Sequence, residues 1–180
     1  MGRGPLVESP SPRPAEFRRL MARWATGVSV VTSRGPAGDV GLTVNALLSV
    51  ALEPPTLLIS LTTSAESTPV IEASGFFAVS FLSSEQRPLS ERFALAVPSA
   101  EKFDGLPVHR GVTGAPLLDG ALGTLECQVR QAFTVGDHRV ILGEVVGVEP
   151  LHDGLPLLFF HRGYATADGP DRLKLPPPGD

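Results

Sequence analysis

The sequence predicts a mostly β protein, a closed or split barrel with a few short helices at its edges, and three observations carry that expectation. After Gly27 the hydrophobic period changes to two, and Val28–Thr32, Thr43–Leu52, Thr56–Leu61 and Phe76–Leu82 read as strands separated by Gly and Pro. Two long alternating runs, 121–135 and 140–148, flank a tight turn at Gly136-Asp137, and a hairpin of that length curls into a barrel wall. The chain has 180 residues, 42% of them hydrophobic and 19% charged, enough to bury one core without covalent staples.

Each element has a local reason. Residues 1–14 are rich in Pro, Gly, Arg and Ser, and 168–180 in Pro and Gly, so both read as loose extensions of a 15–167 domain. Phe17, Leu20, Met21 and Trp24 form one helical stripe, with Pro14 suited to its first turn and Gly27 to its end. Arg18, Arg19 and Arg23 lie off the stripe as a solvated face. Ser67–Ala73 reads as a short helix capped by Ser67 with Pro69 in its first turn, and Gln86–Phe93 as another. In the first long run Ala121, Gly123, Leu125, Cys127, Val129, Phe133 and Val135 face one way, with Gln131 the exception. Thr124, Glu126, Gln128, Arg130 and Thr134 face the other.

Several function classes are excluded. A net charge of −4 is the wrong sign for a nucleic-acid surface. One cysteine, Cys127, permits no internal disulfide and no CxxC pair, which suits a cytoplasmic protein; it sits on an apolar strand face and reads as core. The longest apolar run, Ala46–Leu61, is broken by Glu53-Pro54-Pro55 and is no membrane span. There is no GxSxG, P-loop or HExxH motif. Gly35, Gly38 and Gly41 are spaced as a hairpin loop, and His109, His138, His152 and His161 lack ligand spacing, so no metal site is expected.

What remains is a set of small polar residues inside apolar strands: Thr43, Asn45 and Ser49, then Ser60, Thr62, Ser64, Ser67 and Thr68. Ser and Thr are common in strands and Asn45 can mark a bulge, so an ordinary structural reading stays open. The other reading is a flavin lining. That ring is flat and apolar but rimmed by carbonyl and NH groups, and its phosphate wants hydroxyls and a helix start such as Ser67-Thr68.

The order of motifs resembles the short-chain flavin reductases, the reductase partners of two-component flavin monooxygenases, which share the FMN-binding split β-barrel. The likeness runs from Phe17 to Tyr164. It rests on residues 17–32 (FRRLMARWATGVSVVT), 41–50 (GLTVNALLSV), Glu53-Pro-Pro55 and 77–82 (FAVSFL), then Lys102-Phe103 and 114–118 (GAPLL). Leu125-Glu-Cys127, Gly136-Asp-His138, Gly143-Glu-Val145 and Pro156-Leu-Leu158 complete it. The resemblance implies FMN or FAD held by the strand Thr43, Val44, Asn45, Ala46 and Ser49, with the phosphate end near Ser60, Thr62, Ser64, Ser67 and Thr68. It implies that Lys102 and Phe103 close over the flavin, and that His138, with the Arg162-Gly163-Tyr164 end, serves NADH or NADPH. A homodimer and a partner monooxygenase receiving reduced flavin complete that picture. The same barrel also suits a carrier of flavin or haem without turnover, or an oxidase that keeps its flavin. Two positions depart from the family pattern: Ala46 and Ser80 stand where many relatives have Ser and Asn.

Overall fold

The computed structural model describes residues 13–149 and 152–167. The two expected extensions lie outside the described residues, apart from Arg13 and Pro14. Helix α1 (Pro14–Met21) leads into strands β1 (Thr26–Gly27), β2 (Ser29–Gly35), β3 (Gly38–Val44), β4 (Leu47–Leu52) and β5 (Pro55–Thr62). Helix α2 (Ser67–Ser74) and strand β6 (Phe76–Phe81) follow. Helices α3 (Arg87–Ala94) and α4 (Ser99–Phe103) come next, then β7 (Val108–Arg110) and β8 (Pro116–Leu118). The chain continues as the long hairpin β9 (Gly123–Val135) and β10 (His138–Val148), and then β11 (Leu157–Phe160) and β12 (Gly163–Thr166).

Seven strands form one antiparallel sheet in the order β3-β2-β6-β9-β10-β5-β4. Its two outermost strands, β3 and β4, are consecutive in the chain and joined only by Asn45-Ala46. The Ser60 N–H donates to the Ala46 carbonyl at 3.0 Å across that junction. Two residues can join opposite edges only if the sheet curls on itself, so it closes into a barrel with its split beside Asn45. Val31, Leu57, Ile59, Leu61, Phe77, Val79, Cys127 and Ile141 fill the interior. Burial pushes the Cys127 thiol up to about 12, which keeps it protonated and inert. A second cluster, Val28, Val30, Leu82, Phe93, Leu118 and Leu157, packs outside the barrel.

The expected β fold, the tight turn and the short helices all form, with informative differences. Thr43–Leu52 is two strands instead of one, because the chain leaves β2 at Val44 to join β5. The first helix ends at Met21 instead of near Gly27, because Thr26-Gly27 pairs with Leu158-Phe159 of β11. Helix α2 starts one residue early in its cap, at Glu66, with Ser67 already inside. In β9 an extra residue, Arg130, bulges between the pairs Gln131–Leu142 and Val129–Gly143. The bulge reverses the phase of alternation. Ala132 therefore packs on the core, while Phe133 and Val135 are 41% and 57% exposed. Gly41 lies within β3, not in the loop. A Cβ there would meet the Phe93 ring at 2.7 Å, so its lack of a side chain admits that ring.

Candidate active site

Strand β5 alternates cleanly: Leu57, Ile59 and Leu61 point inward, and Leu58, Ser60 and Thr62 line its outer face. Two depressions lie along this outer face beside the split. The first is a cleft of about 460 Å³ in which Asn45, Ala46, Leu47 and Leu58 meet Trp24, Thr26, Phe159, Arg18 and Arg162. The second, of about 660 Å³, is lined by Leu42, Thr43, Thr62, Ser64, Glu66, Ser67 and Lys102, with the 94–98 loop as its far wall. Ser60 stands between Leu58 of one and Thr62 of the other. One end combines apolar and aromatic side chains with two arginines, and the other is hydroxyl-rich with Lys102 and Glu66.

The hydroxyl end brings together residues distant in sequence. Thr43 Oγ1 donates to the Ser90 carbonyl at 2.6 Å, which ties β3 to α3. Thr62 and Ser64 hydroxyls pair at 3.0 Å, and Thr68 Oγ1 donates to the Thr62 carbonyl at 2.9 Å. Ser67, in the first turn of α2, is buried and lines the cleft. Lys102 is only 8% exposed, and its Nζ reaches the carbonyls of Gly41 and Phe93 at 3.4 Å each. Those lengths are beyond the usual hydrogen-bond range, so an ammonium with three donors is short of partners. Burial lowers the Lys102 pKa from the ordinary lysine value, and the nearby Glu66 carboxylate partly offsets this.

The other expected site residues are distributed differently. Asn45 and Ala46 line the apolar cleft, Ser49 is exposed on β4, and the Val44 side chain is buried in the barrel interior. Phe103 packs edge-on against Phe93 at 5.1 Å, in the cluster beneath the cleft. Tyr164 shares a 2.8 Å hydrogen bond with Ser90 and lies edge-on to Phe159. His138 begins β10 directly opposite Thr62, so it flanks the hydroxyl end. Its Nδ1 lies 2.7 Å from the Asp137 carboxylate, and this bond holds the Asp137 pKa below the usual carboxylate range. Ser80 is buried away from both depressions, where its hydroxyl accepts from Leu118 N–H at 3.1 Å.

Sequence reasoning missed Glu66 and the 94–98 loop, which line the second depression, and Ser99, which bonds to Glu66. Pro98 takes the cap position and Ser99 begins α4, the reverse of the Ser-then-Pro order that signals a helix start, so this short helix carries little local signal. It also missed a second ionic cluster. His109 lies between Asp119 (2.6 Å) and Glu149 (2.8 Å), whose hydrogen bonds raise its pKa. Among the described residues no group of three or more His, Cys, Asp or Glu is placed to hold a metal ion. None of the described helices is long and apolar enough to cross a membrane.

The split barrel thus carries two depressions along one outer face, one where aromatic and aliphatic side chains meet Arg18 and Arg162, the other where hydroxyls meet Lys102 and Glu66. Residues 21–168 match the family model described as a flavin reductase like domain, and the chain belongs to that family. It is 40% identical over 149 residues to FMN reductase (NADH) RutF of Stutzerimonas stutzeri, covering 83% of this chain and 86% of that protein. It is 34% identical over 163 residues to the 4-hydroxyphenylacetate 3-monooxygenase reductase component of Pseudomonas aeruginosa, covering 89% and 96% respectively. The NADH:FAD oxidoreductase SgcE6 of Streptomyces globisporus, solved with NAD and FAD fragments, superposes with a TM-score of 0.80. Its identity is 33%, with 87% of this chain and 93% of that chain covered.

Proposed function

We propose that this protein is an NAD(P)H-dependent flavin reductase that supplies reduced FMN or FAD to a separate monooxygenase. The observation that carries the reading is the cleft in which Thr43, Thr62, Ser64 and Ser67 surround Lys102, a buried cation lacking close partners. These residues fit a flavin's anionic end: a phosphate supplies the acceptors that Lys102 lacks, and the first turn of α2 favours negative charge. Asn45, Ala46 and Ser60 lie along the way to the apolar cleft, which suits the ring.

When bound, the flavin supplies a hydride acceptor at N5 for a hydride from nicotinamide C4. Hydride transfer moves no separate proton, so the chain's task is to bind and orient two flat groups. Lys102 and the hydroxyls anchor the anionic end. Asp137, kept ionised, orients the His138 imidazole, and His138 contacts the nicotinamide donor from the neighbouring strand. Support for an oxygenase partner comes from the Pseudomonas relative's name as a monooxygenase reductase component. The exposed stripe of Phe17, Leu20, Met21 and Trp24 supports a homodimer, and a monomer by sedimentation would remove that part. The lone buried cysteine supports a cytoplasmic setting.

The test is to follow NADH and NADPH oxidation with FMN or FAD added. Turnover with at least one donor and strict dependence on added flavin are expected. No flavin-dependent turnover with either donor would sink the reading, and activity independent of added flavin would favour an oxidase that retains its cofactor. In the same assay His138→Ala should raise the donor KM more than the flavin KM; an unchanged donor KM and rate would remove its assigned role.

A further inference from the structure

The loop before α2 and the start of α4 lie on opposite sides of the cleft, and one side chain joins them. Glu66 Oε2 accepts from both the backbone N–H and the hydroxyl of Ser99, each at 2.9 Å. Ser99 is buried, and its hydroxyl also accepts from Gly41 N–H at 3.4 Å. Three residues further along α4 is Lys102, whose Nζ reaches back to the Gly41 carbonyl. The two bonds from Ser99 to Glu66 are the firm tie. Gly41 N–H to the Ser99 hydroxyl and Lys102 Nζ to the Gly41 carbonyl are looser contacts at 3.4 Å each, so the Glu66 carboxylate is what holds the start of α4. A five-residue helix has too few internal hydrogen bonds to hold itself, so its position depends on such ties.

We infer that Glu66 is a positioning residue of the cleft: by clasping Ser99 it holds the turn of α4 that presents Lys102, and so sets how well an anionic phosphate is bound. This role rests on the flavin reading above. Glu66 acts through Lys102 and does not itself suit an anion. Of the charged groups around α4, Arg92 is engaged by the carbonyls of Glu101 and Asp104, and Glu101 and Asp104 belong to the α4 segment itself. Glu66 is the carboxylate whose field acts on the ammonium and favours its charged form.

The experiment compares dissociation constants for FMN and for riboflavin, which lacks the phosphate, by flavin fluorescence quenching. The native protein is expected to prefer FMN by about tenfold or more, the scale of a charge-assisted contact. Glu66→Ala should reduce that preference to about threefold or less while leaving riboflavin affinity unchanged. Glu66→Gln keeps an acceptor for Ser99 but loses the charge. With the clasp kept, its FMN preference should stay nearer the native value than that of Glu66→Ala. A full FMN preference in Glu66→Ala would overturn the inference. So would a Glu66→Gln variant that loses the preference as fully as Glu66→Ala. If the alanine variant does not fold, an undiminished FMN preference in Ser99→Ala, which removes one of the two bonds to Glu66, overturns it instead. A native protein that binds neither FMN nor riboflavin overturns the flavin reading itself, and this role with it.

Discussion

The two charged side chains buried among the described residues, Glu126 and Lys102, are treated in opposite ways. Glu126, 3% exposed on β9, accepts from Val112 N–H at 2.7 Å, Thr113 N–H at 2.7 Å and the Thr113 hydroxyl at 2.5 Å. Its oxygens are occupied by the 111–115 segment, which it pins to the barrel wall. Lys102 is nearly as buried, yet only two carbonyls approach it, both at 3.4 Å, and a cleft opens beside it. Burying a charge is tolerable when the fold supplies its partners. Where the fold supplies too few, a ligand can complete the set. Glu126 is thus a fastening of the structure, and on the proposed reading Lys102 is held ready for an anionic ligand.

Substitutions sharpen that comparison. The largest expected effect is on stability: Glu126→Ala leaves two backbone N–H groups without partners and should cost about 3 kcal/mol by chemical denaturation. Its preference for FMN over riboflavin should stay native, and loss of that preference in a folded variant would break the distinction. Next is Lys102→Ala, expected to weaken FMN binding by about 10–100-fold while leaving the denaturation midpoint unchanged or raised. A loss of stability like that of Glu126→Ala would make Lys102 a fastening too.

The smallest effect is at His109, a half-exposed intermediate between the two. Because Glu149 and Asp119 raise its folded pKa, its stabilising contribution is complete below the unfolded value of about 6.5 and is lost as pH rises through the raised value. Exposure to solvent limits it to about 0.5 kcal/mol. His109→Asn should therefore lower the melting temperature slightly at pH 6 and match the native protein at pH 9. An equal deficit at both would show that packing, not charge, holds this cluster.

The same contrast explains what was legible in the sequence. The hairpin was readable because Gly136, at φ 60, and the alternation on both sides of it are local signals. The hydroxyls Thr62, Ser64 and Ser67 were visible as a cluster because they are close in the chain. The break at Asn45-Ala46 was not, since it arises from which sheet edge each half joins, a tertiary choice that propensity does not encode. Nor was the phase reversal at Arg130, where a one-residue bulge moves Phe133 and Val135 outward. The alternation placed Glu126 on the face opposite the apolar one but did not show its burial, because the loop that covers it lies 13 and 14 residues away. Glu66 stayed hidden for a similar reason: its partner Ser99 is 33 residues distant.

The most direct test is a titration of NADH oxidation against FMN, run in parallel on the native protein and Lys102→Ala. The native rate should be zero without FMN and saturate with it. Lys102→Ala should reach a similar kcat with an FMN KM raised by about tenfold or more. No FMN-dependent oxidation in the native protein, or an unchanged FMN KM in the variant, would contradict the account.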